Sequence, residues 1–95
     1  MIVVSVRKDG IEINGHAGYA EHGKDIVCAG VTALFQTLVK SIRDLTSDRI
    51  SVNIAPGASS VTFGNLSEEG RLLIDSFFIG ICQIANEFPA YVRIV

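Results

Sequence analysis

Hydrophobic and polar residues alternate in several short segments, and this period of two predicts β-strands with one buried face. Turn residues separate the segments, first residues 8–10 (Lys-Asp-Gly) and later Pro56-Gly57. We expect Gly10 to adopt a positive φ in the first of these turns. The predicted strands cover Ile2–Arg7, Ile11–Asn14, residues 50–54, residues 61–63 and Ala90–Val95.

Hydrophobic residues spaced three or four positions apart predict two helices. Asp25 is a favourable N-cap for the first helix, which we expect to run from Ile26 to about Thr46, and Ser67 is a favourable N-cap for the second, which Pro89 follows. The side chains predicted to face the sheet from the first helix are Val27, Val31, Leu34, Phe35, Leu38, Ile42 and Leu45. Those predicted to do so from the second are Leu73, Phe77, Ile81, Ile84 and Phe88.

The predicted elements follow the order ββαββαβ. This order indicates an α+β fold in which a largely antiparallel sheet packs against two helices. No linker or low-complexity segment divides the chain, and 95 residues suit one compact domain. We therefore expect residues 1–95 to fold as a single domain.

The composition narrows the class of protein and its location. Hydrophobic residues make up 48% of the chain and charged residues 19%, as in globular proteins. Charged residues interrupt the apolar stretches before the roughly 20 residues that a membrane span requires, and no signal-peptide pattern is recognised, so we expect a cytoplasmic protein without a membrane partner. Ten acidic residues against eight basic ones argue against direct nucleic-acid binding.

Cys28 is the residue most indicative of chemistry. With Asp25 as N-cap, Cys28 lies in the first helical turn, where unpaired backbone N–H groups and the helix dipole favour a thiolate. The same N–H groups can stabilise an oxyanion on an attacked carbonyl. Cys28 and Thr32 lie at the margin of the hydrophobic stripe, so we expect both to be partly exposed. The alternative is that Cys28 is a small, inert packing residue.

His16 is the candidate partner of this thiol. It follows the second strand, directly after Gly15, which permits close backbone approach. A histidine at this position can take the thiol proton and later return it to a leaving amine. A structural or surface role for His16 is the alternative. Two roles are likewise open for Asp25, as the helix cap or as the group that orients the His16 imidazole.

The remaining candidate groups carry less weight. His22 is nearer to Cys28 along the chain, but it belongs to the polar Gly18–Lys24 loop, where we expect it to be solvated. The histidine, cysteine and aspartate residues of this region match no common zinc spacing, so no metal site is predicted. Cys82 lies within the second helix and is predicted to be structural.

Two hydrophobic side chains of the second helix, Leu72 and Ile79, point away from its buried stripe. Isolated apolar side chains on a surface are common and require no partner. A homodimer contact through this helix is the second interpretation.

The segments Gly15-His16-Ala17 and Asp25-Ile26-Val27-Cys28-Ala29, separated by a glycine-containing loop, resemble the ribosomal-processing cysteine protease family (Prp) of bacteria. The resemblance extends over essentially the whole chain, from the initial hairpin to the final helix and strand. It implies a cysteine endopeptidase that removes the N-terminal extension of a large-subunit ribosomal protein. It further implies Cys28 as nucleophile, His16 as general base and acid, and a homodimer that needs no cofactor.

The same resemblance implies supporting roles around this pair. Gly15, Asp25 and the Thr32 hydroxyl, one turn beyond the nucleophile, are the candidate supporting groups. The Gly18–Lys24 loop is expected to close over an extended substrate peptide with apolar residues before the cut.

Two functions of other classes stay open at this point. One is a non-catalytic, ribosome-associated adaptor that binds a peptide without cutting it. The other is a thiol redox sensor, which needs a resolving partner near Cys28.

Overall fold

Five strands and two helices follow one another in the predicted order in a computed structural model that describes residues 1–95. The strands form one sheet in the order β3-β4-β2-β1-β5, in which all neighbours are antiparallel except β1 and β5. The α+β class and the largely antiparallel sheet are thereby confirmed. The elements are β1 (Ile2–Arg7), β2 (Gly10–Asn14), α1 (Ile26–Leu45), β3 (Ile50–Ala55), β4 (Ala58–Phe63), α2 (Glu68–Glu87) and β5 (Val92–Ile94).

The strand register gathers the hydrophobic side chains on one face of the sheet. Val4 pairs with Ile13, and Ile11 pairs with both Val6 and Val61, so these side chains share the face on which both helices pack. The opposite face carries Val3 and otherwise mostly polar residues, among them Ser5, Glu12 and Ser60. The buried core is one cluster of Ile2, Val4, Ile11, Ile13, Ala17, Val27, Val31, Phe35, Leu38, Val39, Ile42, Val61, Phe63, Phe77, Ile81 and Val92.

The helix boundaries agree with the capping pattern, but the prediction for one core residue is wrong. Leu45 is 70% exposed, although its angular position matches that of the buried Leu38. Leu45 is the last residue of α1, and it does not belong to the residues that pack on the core. The buried stripe instead includes Val39, on the flank of the predicted stripe.

The final strand is shorter than predicted and covers only Val92–Ile94. Phe88 is the C-cap of α2 rather than a helical residue, and its carbonyl accepts hydrogen bonds from the backbone N–H groups of Tyr91 and Val92. This turn uses residues 89–91, so that β5 begins only at Val92.

Gly10 does not adopt a positive φ, contrary to the expectation from the turn pattern. It is the first residue of β2, paired with Arg7 on one side and Thr62 on the other. A side chain here would place its Cβ 2.8 Å from the Val61 carbonyl oxygen. The glycine is therefore required by the close approach of β4 rather than by the turn.

Helix α1 is long and apolar enough, by length and composition alone, to cross a membrane. The core helix of a globular domain meets the same criterion. In this fold, α1 buries Val27, Val31, Phe35, Leu38, Val39 and Ile42 in the core that it shares with the sheet and α2.

Candidate active site

The thiol of Cys28 lies in the first turn of α1, as the capping pattern predicted. Asp25 is the N-cap, and Cys28, the third helical residue, is half-buried. The backbone N–H of Ala17 donates a hydrogen bond to Cys28 Sγ over 3.3 Å. This contact places the residue directly after His16 against the sulfur, although eleven positions separate Ala17 from Cys28 along the chain.

His16 is exposed, and its imidazole lies against the β3–β4 turn rather than in a hydrogen bond with the thiol. A Cβ built on Gly57 would lie 2.8 Å from His16 Nε2. The backbone of His16 is fixed separately, because its carbonyl accepts a hydrogen bond of 2.6 Å from the Met1 ammonium group. The structure thus brings His16 and Cys28 to the same site through the backbone of residues 16 and 17.

Gly15 has the close backbone approach that its position before His16 indicated. Its φ is +92°, a value that L side chains rarely adopt, and a Cβ would collide with the Met1 carbonyl oxygen. Its N–H donates a 2.8 Å hydrogen bond to the Gly57 carbonyl. No residue other than glycine satisfies all three conditions.

Asp25 is the helix cap, and its carboxylate also holds the start of the Gly18–Lys24 loop. Oδ1 accepts hydrogen bonds from the N–H groups of Val27 (3.0 Å) and Cys28 (2.9 Å). Oδ2 accepts them from the N–H groups of Tyr19 (3.0 Å) and Ala20 (3.4 Å). The hydrogen bond from Cys28 contributes most to holding the pKa of Asp25 below its ordinary value.

These hydrogen bonds decide between the two roles left open for Asp25 and correct one expectation about the oxyanion. Asp25 makes no hydrogen bond to His16, so in this geometry it does not orient the imidazole. The N–H groups of Val27 and Cys28 are not free to stabilise an oxyanion, because the capping carboxylate already accepts both. The N–H that faces the sulfur belongs to Ala17.

An aromatic contact that the sequence pattern did not indicate holds the same loop. The ring of Tyr19 packs edge-to-face on Phe88 and Tyr91, with centroid separations of 5.5 and 5.2 Å. Tyr19 is the only Phe, Tyr or Trp residue between His16 and Asp25. A single large aromatic residue in this polar loop is the one feature of the sequence that could have indicated the contact. The contact ties the loop to the end of α2 and the turn before β5.

The other candidate residues contribute less to this geometry. Thr32 is exposed, rather than at the buried margin of α1. His22 is exposed in the loop, and Cys82 is half-buried in α2. No group of three or more His, Cys, Asp or Glu side chains is arranged to hold a metal ion.

Comparisons with known proteins identify the family to which the chain is similar. A family model described as cysteine protease Prp matches residues 1–93. The ribosomal processing cysteine protease Prp of Bacillus subtilis is 31% identical over 90 residues, which cover 87% of this chain and 80% of that protein.

Two solved structures of the ribosomal processing protease Prp from S. aureus share the fold. The complex with a covalently linked product peptide matches with a TM-score of 0.92 at 28% identity, covering 99% of this chain and 97% of the other. The complex with a substrate peptide matches with a TM-score of 0.83 at 25% identity, covering 99% and 95%. From the match over residues 1–93 and these relatives, we conclude that the chain is a cysteine protease and belongs to the Prp family of ribosomal processing proteases.

Proposed function

We propose that this protease removes the N-terminal extension from the precursor of a large-subunit ribosomal protein, with Cys28 as nucleophile and His16 as general base and acid. The observation that carries this proposal is the hydrogen bond from Ala17 N–H to Cys28 Sγ. It joins the glycine–histidine segment to the cysteine at the start of α1. One nucleophile and one proton carrier are thereby held on neighbouring backbone segments.

The reaction begins with transfer of the Cys28 proton to His16. The thiolate attacks the scissile carbonyl carbon and forms a C–S bond, and the tetrahedral intermediate then expels the amine, which receives its proton from the His16 imidazolium. Water attacks the resulting thioester while His16 accepts a proton from it. The C–S bond breaks, the carboxylic acid product leaves, and Cys28 recovers its proton.

We assign stabilisation of the oxyanion to the backbone N–H of Ala17. In the free enzyme this group donates to sulfur, which is a weak acceptor, over 3.3 Å. Once sulfur is bonded to the carbonyl carbon, the developing negative charge lies on an oxygen next to that sulfur. An N–H that donates more strongly to this oxygen than to the resting thiol lowers the barrier to the chemical step.

We propose as substrate an extended peptide that lies between the Gly18–Lys24 loop and the start of α1, with apolar residues before the cut. The S. aureus relative has been solved with a substrate peptide and with a covalently linked product peptide, which supports peptide binding at the equivalent site. No metal or organic cofactor takes part in the proposed reaction. Both cysteines are free thiols, which a reducing compartment maintains, and this supports our proposal that the enzyme acts in the cytoplasm.

The test is incubation of the ribosomal protein precursor with wild-type protein and three variants, followed by mass spectrometry of the products. We expect wild type to cleave, Cys28→Ala to leave the precursor intact, and His16→Ala to slow cleavage by about 10²- to 10⁴-fold. Cys82→Ala, which removes the other thiol, is the matched control and should cleave at the wild-type rate. Wild-type protein that binds the precursor without cutting it would establish the adaptor function instead.

We also propose that two copies of the chain associate through α2. Leu72 and Ile79 are 69% and 63% exposed, and their separation of seven residues places them on one side of the helix. Burying large apolar side chains is worth about 1.5–3 kcal/mol each. A two-fold contact would bury both residues from each copy.

A further inference from the structure

The β3–β4 turn reaches across the end of β2 and contacts the imidazole of His16. A Cβ on Gly57 would lie 2.8 Å from Nε2, 3.3 Å from Cδ2 and 3.4 Å from Cε1 of that ring. All three atoms lie on the side of the imidazole around Nε2. This side of the ring therefore packs against Gly57, in the space that a side chain at this position would fill. Since Cβ contacts below about 3 Å do not persist, any side chain at this position displaces the ring.

Two further features hold Gly57 in place. Its φ of +70° lies in the left-handed region that favours glycine. Its carbonyl accepts the 2.8 Å hydrogen bond from Gly15 N–H, and the next residue, Ala58, pairs with Asn14 at the end of β2. The turn is therefore attached to the backbone that carries His16 as well as to its ring.

No side-chain hydrogen bond orients this imidazole. The carboxylate of Asp25, the acidic residue considered as a partner of His16, accepts hydrogen bonds from four backbone N–H groups. His16 is exposed, so solvent leaves its side-chain rotamers open. Contact with the turn is what restricts the ring.

We propose that Gly57 is a positioning residue for His16, which holds the imidazole where it can exchange a proton with Cys28. This role rests on the proposed Cys28–His16 pair and adds the β3–β4 turn to the active site. With Nε2 facing the turn, Nδ1 is the nitrogen that remains for the thiol. A displacement of about 1 Å is sufficient to cost about 100-fold in rate, which is the loss expected from Gly57→Ala.

The test needs no peptide substrate, because alkylation of Cys28 by iodoacetamide reports its thiolate directly. Every protein carries Cys82→Ala, so that Cys28 is the only thiol. We expect His16→Ala to displace the pH profile of alkylation toward higher pH than in the parent, because the thiol loses its proton acceptor. Gly57→Ala should shift by the same amount as His16→Ala, by about one pH unit or more, which is a tenfold change in thiolate at a given pH.

Two further variants separate displacement of the ring from backbone strain. Gly57→Asn introduces a Cβ but tolerates the left-handed conformation, so it should be more stable than Gly57→Ala and show the same shifted profile. Gly64→Ala meets no atom within 4 Å and has no positive φ, so its profile should match the parent. Thermal unfolding shows which variants are folded, and NMR signals of the exposed His22 give a reference that should not move when those of His16 do.

The outcomes distinguish this role from the function on which it rests. If His16→Ala shifts the alkylation profile but folded Gly57→Asn and Gly57→Ala do not, the pair stands and the positioning role is wrong. If His16→Ala leaves the profile unchanged, the pair itself is wrong and the role of Gly57 falls with it. With a cleavable peptide, the Gly57 variants should lower kcat about 100-fold with little change in KM, since ring placement affects the chemical step.

Discussion

Asp25 joins the two segments that frame the thiol, and it does so with a single carboxylate. One oxygen accepts hydrogen bonds from the N–H groups of Val27 and Cys28 in α1. The other accepts hydrogen bonds from the N–H groups of Tyr19 and Ala20 in the loop. All four donors favour the charged form over the neutral acid, against a smaller opposing effect of desolvation. The residue therefore couples the order of the loop to the start of the helix.

The lowered pKa of Asp25 predicts how stability depends on pH. The unfolded chain binds a proton near pH 3.8, and the folded chain binds it only at lower pH, so stability rises with pH across that interval. The stabilisation by Asp25 is complete above its pKa in the unfolded chain. It is lost as the pH falls through its lower pKa in the folded chain. In urea unfolding from pH 7 to pH 2.5, Asp25→Asn should be less stable than wild type above about pH 5, and the difference should shrink below pH 4.

A suitable control is Asp44→Asn, at an exposed residue whose only partner is Lys40. Its difference from wild type should be small at every pH, since exposed ion pairs contribute about 0–1 kcal/mol. A difference between Asp25→Asn and wild type that stays constant down to pH 2.5 would contradict the lowered pKa.

The residues that carry the proposed chemistry were within reach of sequence reasoning because their signals are local. An N-cap aspartate before a hydrophobic stripe locates Cys28 in the first helical turn, and a glycine before His16 indicates close backbone approach. Gly57 and the N–H of Ala17 were not identified. The role of Gly57 depends on which strands become neighbours, and the role of Ala17 depends on a contact of its backbone N–H. The type of residue at either position indicates neither.

Among the connecting segments, the Gly18–Lys24 loop has its ordering contacts at one end. Tyr19 packs edge-to-face on Phe88 and Tyr91, whereas Lys24 contacts Glu21 of the same loop by a backbone hydrogen bond and an exposed ion pair. Edge-to-face aromatic pairs are worth about 0.5–1.5 kcal/mol each. To move as a lid, the loop must therefore break this aromatic contact as well as the two hydrogen bonds from Tyr19 and Ala20 to Asp25.

Removing this contact should loosen the loop. We expect Tyr19→Ala to accelerate amide hydrogen exchange of residues 19 and 20 by about tenfold or more, because two aromatic pairs are lost and 1.4 kcal/mol corresponds to a factor of ten. Tyr19→Phe keeps the ring and should exchange as wild type does. His22→Ala, at an exposed position of the same loop, is a second control, and equal exchange in all four proteins would show that the contact does not order the loop.

The β1–β2 hairpin depends on a glycine for a reason that its turn pattern misidentified. Gly10 packs beneath the Val61 carbonyl with no room for a Cβ, and its φ is unremarkable. Turn statistics describe local conformation, whereas this constraint comes from β4, about 50 positions later in the chain. The error arises because a glycine in a strand and a glycine in a turn look alike in sequence.

Gly10→Ala should consequently destabilise the fold through overpacking, by about 1–3 kcal/mol. Gly64→Ala is the matched control, since a Cβ there meets open space, and its free energy of unfolding should be close to wild type or slightly higher. Both free energies are measured by urea unfolding at neutral pH. Equal stability of Gly10→Ala and wild type would mean that β4 moves away at little cost.

The arrangement of the whole molecule was predicted well because period, caps and turns agree along the chain. Alternation in the strands and the two capped helices indicate ββαββαβ, and the single core forms as expected. The strand order β3-β4-β2-β1-β5 was not predicted, since alternation marks a strand without naming its neighbour. Leu45 shows a related limit, because a helical period gives the direction of a side chain but not what lies opposite it.

That limit matters most for the outer surface of α2, where Leu72 and Ile79 lie exposed on one side of the helix. If this surface is the dimer contact, a charge introduced there is buried against the same charge of the second copy. Burying it without an opposite charge nearby is costly. We expect Ile79→Glu to raise the dimer dissociation constant at least about 100-fold, or about 2.7 kcal/mol, in sedimentation equilibrium. Leu45→Glu alters an equally exposed leucine on the other helix and should leave association unchanged. A wild-type protein that sediments as a monomer at every working concentration would reject the contact, whereas equal weakening by both variants would reflect net charge rather than this surface.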